Sequence, residues 1–271
     1  MQTPQQQQPP PIEYSHYQIN VFEWLKDAIN TPDTMIGIVE AVAGSGKTTT
    51  LRGAIKQIPP SASYMVACYN AHIKNELQKY GVASASTINS LGARLLRRRL
   101  PFARIPERPQ LPKHQQIMLG MQTRQKVSDE IERRCSDPDM ARDAVRDFEK
   151  LTHLISCHLV DPTDETAVVG LAEDHSIDAE IYLKPSNLLK WWRDINVVIA
   201  EQKGIISFQD QLELPIYYGL RPRQTYQVIL VDEYQDLSLL HLEILKRHLA
   251  PNGTMLMVGD RAQGLYSWNG A

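Results

Sequence analysis

The stretch Ala41-Val42-Ala43-Gly44-Ser45-Gly46-Lys47-Thr48 decides the fold class of this chain. It stands between a short apolar run, Met35–Val42, and a segment with helical character, Lys47–Lys56. In a strand–turn–helix unit of this kind, glycines let the backbone wrap around phosphates, and N–H groups at the helix N-terminus bind the anion. The lysine reaches the β- and γ-phosphates, and the hydroxyl that follows it binds magnesium. The stretch, hereafter the phosphate loop, therefore predicts a site for ATP and Mg²⁺.

The predicted nucleotide ligands are loop residues and the residue that follows them: Ala43, Gly44, Ser45, Gly46, Lys47, Thr48 and Thr49. Lys47 is also predicted to be catalytic, and Thr48 to be a magnesium ligand. Ala41 stands where the general motif has its first glycine. A chance glycine-rich turn is the alternative, and the strand and helix that flank the loop disfavour it.

A second motif follows an apolar strand far downstream. The run Val228–Val231 leads into Asp232-Glu233-Tyr234-Gln235-Asp236, hereafter the acidic box. In P-loop enzymes such a strand lies beside the phosphate loop, so that its first carboxylate can hold magnesium. Asp232 is assigned that role, and Glu233 is the candidate general base that orients the attacking water. A solvated acidic turn after a core strand is the alternative, but the phosphate loop makes the catalytic interpretation the stronger one.

Short apolar runs alternate with helical segments through much of the chain. The runs are Met35–Val42, Tyr64–Tyr69, Val82–Ser86, Val228–Val231 and Met255–Val258. Apolar strands that alternate with helices form a parallel sheet covered on both faces. With the phosphate loop, this pattern predicts an α/β fold of the P-loop NTPase class.

Between about Arg98 and Gly204 the strand pattern disappears. Asp137-Pro138 is typical of a helix start, and apolar residues recur downstream at helical spacing. The stripes are Met140, Val145, Phe148, Leu151, Leu154 and Ile155, and then Leu188, Trp191, Trp192, Ile195 and Val198. We expect a mostly helical insertion subdomain over residues 98–203, within a core of residues 14–97 and 204–271. Residues 1–13, mostly Gln and Pro, predict a disordered tail.

Composition narrows the class of protein and its compartment. The net charge of −2 excludes a global basic field, so any contact with nucleic acid must come from local patches. Cys68, Cys135 and Cys157 lack the paired short spacing of a zinc site or a disulfide scaffold. No apolar run reaches the roughly 18 residues that cross a bilayer, and the N-terminus lacks a signal pattern. These features predict a cytoplasmic protein, nuclear in a eukaryote, that is not secreted and has no membrane partner.

Taken together, the motifs resemble those of superfamily 1 helicases of the UvrD/Rep type. The phosphate loop is similar to that family's version, which tolerates alanine at the first position, and the acidic box resembles its DExQD box. Further similar segments are Val258–Ala271 (the third motif), Gln18 (the adenine-reading glutamine), Thr87–Gly92 (the Thr-x-His-Ser motif) and Ser207–Asp210 (a short motif before the acidic box). The resemblance covers about Tyr14–Arg97 and Gly204–Ala271, and it implies a RecA-like fold for the core.

The resemblance also implies roles for individual residues. Gln18 would read adenine, and Gln263 would sense the γ-phosphate and couple hydrolysis to DNA. Tyr266 and Trp268 would stack on bases of single-stranded DNA, an interaction worth roughly 1–3 kcal/mol per base. Packing in the core is the alternative for these two aromatic residues. The other implied DNA contacts, which position a strand without reading its sequence, are Asn70, Thr87 and Ser90.

Two departures from the family pattern concern the path of the DNA strand. Cys68 is near the position where several relatives carry a base-stacking aromatic residue, and Asn89 replaces the usual histidine. A basic cluster could follow a DNA backbone. A solvated helix face explains that cluster equally well, and the sequence leaves both interpretations open. The cluster comprises Arg94, Arg97, Arg98, Arg99 and Arg104.

The resemblance implies that the chain is the ATP-binding N-terminal half of an ATP-dependent DNA helicase or translocase that moves 3′ to 5′. Its expected partners are single-stranded DNA, duplex junctions and a second RecA-like domain, which carries arginines that reach the γ-phosphate. Such an arginine raises the rate by about 10³–10⁵ in related NTPases, so the chain alone is expected to be nearly inactive. A non-motor ATP- and DNA-binding module, acting as a loader, decoy or scaffold, is the alternative. A recombinase-type ATPase is disfavoured because the acidic box and the third motif occur together.

Overall fold

The computed structural model describes residues 13–42, 44–103 and 125–264. Its centre is one sheet of five strands: β1 (Met35–Glu40), β2 (Tyr64–Cys68), β3 (Ala85–Thr87), β4 (Tyr226–Asp232) and β5 (Leu249–Gly259). Their order across the sheet is β1-β5-β4-β2-β3, and every neighbouring pair is parallel. The carboxyl ends of the strands therefore meet at one edge, where ligands bind in open α/β sheets.

Helices precede, connect and cover these strands. They are α1 (His16–Ile29), α2 (Lys47–Ile55), α3 (Ala71–Lys79), α4 (Ile88–Arg99), α5 (125–134), α6 (Pro138–Cys157), α7 (Glu165–Asp174), α8 (Glu180–Leu183), α9 (Leu188–Lys203), α10 (Asp210–Tyr217) and α11 (Leu239–His248). Short 3₁₀ turns follow β4 and β5, at Tyr234–Asp236 and Arg261–Gln263.

The central strands of the sheet are buried on both faces, which explains why they are apolar without alternation, whereas the edge strand β1 exposes Ile36 and Ile38. In β4, Val228 and Leu230 pack in the core shared with α1, α2 and α3. Ile229 and Val231 point the other way, into the core shared with α4, α10 and α11. All four are fully buried, as expected for a parallel strand between two helical layers. The predicted α/β fold, with a parallel sheet covered by helices in the manner of RecA-like P-loop NTPases, is confirmed.

The third strand lies three residues downstream of the predicted start at Val82. Gly81 has a φ of +86° and ends α3, and the Val82 N–H then donates to Leu77 O at 3.1 Å. Val82 therefore closes the C-terminal turn of α3 before the chain enters the sheet at Ala85. Val82 is buried under that turn and Ala85 is buried in the strand. The predicted run Val82–Ser86 therefore contains apolar residues both before and after the start of the strand.

Between α4 and Gly204, the described residues form helices joined by turns and short loops. The helix predicted to start at Asp137-Pro138 is α6, with Asp137 as its N-cap and Pro138 in the first turn. Helices α5 to α9 share a core of their own, with Ile131, Phe148 and Leu151 at its centre. Two members of the predicted apolar stripes face solvent instead: Met140 is 59% exposed and Val198 is 42% exposed.

A cavity of about 690 Å³ lies between α6, α9, α10 and α11. Ile155, Trp192 and Val197 form apolar walls, and Glu213 contributes a carboxyl group. Beneath it, Leu96, Ala200 and Leu214 join α4, α9 and α10 in a small apolar cluster. Among the helices that the structure describes, none combines the length and apolarity that crossing a bilayer requires.

Candidate nucleotide site

The phosphate loop joins the carboxyl end of β1 to the N-terminus of α2. Gly44 and Gly46 have φ angles of +75° and +86°, in the left-handed region that residues with a Cβ disfavour. A Cβ on Gly44 would meet no atom within 4 Å, so backbone conformation alone requires glycine there and space remains above the loop. Gly46 is the N-cap of α2. The helix N-terminus thus opens at the loop, as an anion site requires.

The loop residues predicted to bind nucleotide lie close together around this helix start. The Ser45 N–H donates to Val42 O at 3.1 Å and closes the turn. Lys47, Thr48 and Thr49 form the first turn of α2. Ala43 lies outside the described residues.

Lys47 and Glu233 meet across the site although 186 positions separate them. Lys47 Nζ donates to Glu233 Oε2 at 2.7 Å, and the two side chains are 12% and 25% exposed. A charge-assisted contact at this distance is among the stronger hydrogen bonds in proteins. The structure therefore brings the predicted phosphate lysine and the predicted general base into direct contact.

Asp232 lies at the end of β4 and is a buried carboxyl group of the site, 4% exposed. Its Oδ1 accepts a hydrogen bond from the Glu233 N–H at 3.1 Å. Burial and then the neighbouring charge of Glu233 raise the pKa of Asp232 to about 6, while Lys47 opposes the shift. A cation bound beside Asp232 would relieve both effects. Carboxylate and hydroxyl oxygens are suitable ligands for Mg²⁺, so Asp232 and Thr48 fit the metal that the motifs predict.

The acidic box turns sharply over the end of β5. Glu233 has a φ of +54°, an uncommon conformation for a residue with a side chain, which persists only where the surroundings fix it. A Cβ on Gly259 would lie 2.2 Å from Gln235 Oε1 and 2.6 Å from Tyr234 Cδ1. The turn can pack this closely only because residue 259 is glycine.

Gln235 links the acidic box to the strand end beneath it. Its Nε2 donates to Glu233 Oε2 at 2.8 Å, and its Oε1 accepts from the Asp260 N–H at 3.0 Å. Gln263, the predicted γ-phosphate sensor, donates through Nε2 to Asp260 Oδ2 at 2.6 Å. Lys47, Glu233, Gln235, Asp260 and Gln263 thus form one continuous series of contacts.

Gln18 lies beside the phosphate loop, although other groups already occupy its amide. Its Nε2 donates to Thr50 Oγ1 at 3.0 Å, and its Oε1 accepts from the Ser15 N–H at 3.0 Å. Thr50 in turn donates to Gly46 O at 3.1 Å. This placement next to the loop suits the predicted contact with adenine, which stays a prediction.

A polar cluster joins the carboxyl ends of β1, β4 and β5. The Tyr234 hydroxyl donates to Glu40 Oε1, and Arg261 Nε pairs with the same oxygen at 2.9 Å. The Arg261 side chain is 75% exposed, and exposed ion pairs contribute little to stability. The cluster therefore links residues at three strand ends around the site, and its ion pair contributes little to the stability of the fold.

The residues predicted to contact DNA have structural roles that the sequence did not reveal. Asn70 Oδ1 caps α3 by accepting from the Ile73 N–H at 3.0 Å. Thr87 caps α4 by accepting from the Ser90 N–H at 3.2 Å, and the two hydroxyls lie 2.7 Å apart. Capping alone explains these side chains, so their contact with DNA stays a prediction. Tyr266 and Trp268 lie outside the described residues.

The two departures from the family pattern have separate structural reasons. Cys68 is fully buried, and burial raises the pKa of its thiol to about 12, so it presents no surface for a base. Asn89 Nδ2 donates to Phe208 O at 2.9 Å and ties α4 to the segment before α10. The Phe208 side chain is 50% exposed.

Internal contacts account for part of the basic cluster. Arg99 pairs with Glu201 on α9 at 3.1 Å, and Arg98 donates to Arg221 O at 3.3 Å. Arg94 donates to Ser86 Oγ at 3.3 Å. These bonds favour a structural role for three of the arginines. Arg104 lies outside the described residues.

A partly buried carboxyl group, that of Glu213, lies away from the nucleotide site, at the cavity. Ser156 on α6 donates to Glu213 Oε2 at 2.9 Å and accepts from Gln209 Nε2 at 2.8 Å. Burial raises the pKa of Glu213 to about 7. Gln209 belongs to the short motif before the acidic box, but a lone serine on α6 carries no sequence signal for this contact.

Comparison with known proteins agrees with this geometry. A protein family described as AAA domain matches residues 26–269. RecBCD enzyme subunit RecB from Chlamydia pneumoniae is 31% identical over 98 residues, which make up 35% of this chain and 9% of that protein. A probable DNA helicase II homolog from Mycoplasma genitalium is 40% identical over 48 residues, 18% of this chain and 7% of that protein. The matched segments thus span less than a tenth of the length of either relative.

Proposed function

The chain belongs to the AAA domain family, as an ATP-binding domain of the superfamily 1 helicase type, and from this premise we propose that it is the ATP-hydrolysing part of a DNA helicase or translocase. The observation that carries the proposal is the contact of Lys47 with Glu233. It unites the phosphate loop and the acidic box at the carboxyl edge of the sheet, where such enzymes bind nucleotide.

The phosphate loop supplies the binding energy for the nucleotide. Backbone N–H groups at the start of α2 point at the anion, and the left-handed glycines keep side chains away from it. Lys47 leaves Glu233 and places its ammonium group on the β- and γ-phosphates. Gln18, held beside the loop by Thr50, reads the base.

The carboxylates divide the remaining chemistry. Mg²⁺, when bound, would supply positive charge against the phosphates. Asp232 and Thr48 are the residues that would hold the metal, and Asp232 would do so in its ionised form. Glu233, released from Lys47, accepts a proton from the attacking water and orients it.

The remaining steps of a motor need groups beyond these residues. Among the ion pairs of the described residues, Glu233 pairs with Lys47, and the exposed Arg261 pairs with Glu40. We propose that arginines of a second RecA-like domain complete the site and that closure of the two domains drives 3′-to-5′ movement on single-stranded DNA. Tyr266 and Trp268 are the proposed base-stacking residues.

Calorimetry with a non-hydrolysable ATP analogue and Mg²⁺ tests the binding step. Lys47→Ala should weaken the affinity by about 10- to 150-fold, the equivalent of one hydrogen bond to a charged group. Lys56→Ala is the matched control, because Lys56 is exposed and follows α2 at its far end. Equal affinities for Lys47→Ala and the wild type would refute the role of Lys47.

Turnover measurements test the remainder. The chain alone should hydrolyse ATP at most in trace amounts, and its weak binding of single-stranded DNA should decline with salt as counterions are released. Adding the second domain should raise turnover by about 10³–10⁵ and make it depend on single-stranded DNA. Robust DNA-stimulated turnover by the chain alone would show that the site is self-contained.

A further inference from the structure

Gln235 lies between two groups of the nucleotide site, yet the proposed chemistry gives it no task. Its amide has a donor on one end and an acceptor on the other, and the structure uses both. The acceptor end binds a main-chain N–H of Asp260, which fixes which way the amide is turned. The donor end therefore faces the carboxylate of Glu233.

Close packing against Gly259, at the end of β5, also holds the Gln235 amide in place. A Cβ on Gly259 would overlap Gln235 Oε1 at 2.2 Å and would lie 3.0 Å from the Tyr234 backbone nitrogen. The amide thus sits directly on the strand end, without a side chain between them. Any movement of that strand end reaches the amide through the Asp260 N–H.

Asp260 extends the connection to Gln263. Its Oδ2 accepts from Gln263 Nε2 at 2.6 Å, and its Oδ1 accepts from the Ala262 N–H at 3.0 Å. Asp260 is 6% exposed, so water competes little for these bonds. A shift of Gln263 must therefore move Asp260 or break a part-buried hydrogen bond.

Nucleotide binding affects the two hydrogen-bond donors to Glu233, Lys47 and Gln235, in different ways. Lys47 must turn toward the phosphates, whereas Gln235 stays bound to the strand end through Asp260. After Lys47 has left, Gln235 is the one of these two donors that still holds the Glu233 carboxylate in place. The position of Glu233 then depends on the strand end and on Gln263.

We propose that Gln235 is a positioning residue that transmits the position of Gln263 to Glu233 and so couples nucleotide binding to binding of single-stranded DNA. This inference rests on the proposed function, since it assumes that the chain binds both ligands. The connection ends at Gln263, three positions before the predicted base-stacking residue Tyr266. Coupling between two sites is reciprocal and amounts to about 5–150-fold in affinity in typical cases.

The test uses Gln235→Glu in the full chain. The new carboxylate still accepts from the Asp260 N–H, but it cannot donate to Glu233 and it repels that side chain. Gln57→Glu is the control, because it makes the same chemical change on a partly exposed glutamine that bonds to Gly53 O of the neighbouring helix turn. Gln263→Ala probes the opposite end of the connection and leaves both Gln235 bonds intact.

Fluorescence anisotropy of labelled oligo(dT) is measured with and without a non-hydrolysable ATP analogue and Mg²⁺. In the wild type and in Gln57→Glu, the analogue should change the affinity for oligo(dT) by about 5–150-fold. In Gln235→Glu and in Gln263→Ala that factor should fall to about 1, while the affinity of Gln235→Glu for oligo(dT) without the analogue stays within about threefold of the wild-type affinity. The double variant should lose nothing more, since residues that act through one path are not additive.

The outcomes separate the inference from the function on which it rests. A wild type that binds neither ligand would overturn the proposed function and this inference with it. A wild type that binds both ligands, with coupling absent or with coupling retained in Gln235→Glu, would overturn the inference alone. If Gln235→Glu melts far below the wild type, Gln263→Ala decides, because it leaves the packed turn untouched.

Discussion

Replacing Gly259 by alanine should damage the candidate site through packing alone. The added Cβ would lie 2.2 Å from Gln235 Oε1, 2.6 Å from Tyr234 Cδ1 and 3.0 Å from the Tyr234 backbone nitrogen. The amide of Gln235 can swing away, but the backbone of the turn cannot. The acidic box must therefore rise from β5.

The expected loss of stability follows from these contacts. Overpacking in a well-filled interior costs about 1–3 kcal/mol. The Gln235 bonds to Glu233 and Asp260 are broken as well, at about 1 kcal/mol each. Breaking the Gln235 bonds relieves part of the overpacking, so we expect a total loss of about 2–4 kcal/mol in the free energy of unfolding. For a chain of this size, that loss lowers the melting temperature by roughly 5–15 °C.

Thermal unfolding followed by circular dichroism measures the effect, with Gly170→Ala as the control. Gly170 lies within α7, and a Cβ there would meet no atom within 4 Å. Alanine in a helix is more favourable than glycine by about 0.5–1 kcal/mol, so this variant should melt slightly higher than the wild type. If Gly259→Ala melts within about 1 °C of the wild type, the described packing of the turn is wrong.

Three further predictions concern the carboxyl groups. The pKa of Asp232 is about 6, and a protonated carboxyl group is a poor metal ligand, so Mg²⁺-dependent binding of an ATP analogue should weaken as the pH falls through that value. Calorimetry over a range of pH measures the affinity. A wild-type affinity that does not change with pH would contradict the prediction. Glu233→Gln should keep nucleotide binding but lower DNA-stimulated turnover by about 10²–10⁴ in the protein completed by its second domain, and near-normal turnover would place the base elsewhere. The pKa of Glu213 is about 7 in the folded chain and 4.5 in the unfolded chain, so the free energy of unfolding should fall as the pH rises between these values. In urea denaturation, Glu213→Gln should remove that fall and stabilise the chain by about 1–3 kcal/mol near pH 8. An unchanged pH profile in this variant would exclude the Glu213 carboxyl as the cause.

The phosphate loop and β4 could be predicted because local chemistry determines them. Glycines with left-handed backbone, a lysine at the start of a helix and an apolar run that ends in carboxylates seldom occur together outside nucleotide sites. The contact of Lys47 with Glu233 then follows from the known arrangement of such motifs. The strand order, with β5 between β1 and β4, was not predicted.

The contacts that the sequence did not reveal are those made by ordinary residues at long range. The resemblance to the DExQD box includes Gln235 but gives it no contact, and its packing depends on the missing side chain of Gly259. Asn70 and Thr87 carry two signals at once, since helix capping and phosphate contact call for the same polar groups. Helical spacing alone puts Met140 and Val198 in an apolar stripe, but both side chains face solvent in the folded chain.

The contact between Lys47 and Glu233 also bears on which molecules can enter the site. The lysine already has an anionic partner 2.7 Å away, so an incoming ligand must compete with a carboxylate for it. A nucleoside offers no negative charge for this exchange, and a single phosphate offers little, whereas a triphosphate with its metal offers several anionic oxygens at once. If the site binds nucleotide as proposed, the pairing of these two side chains would favour triphosphates before any residue has read the base.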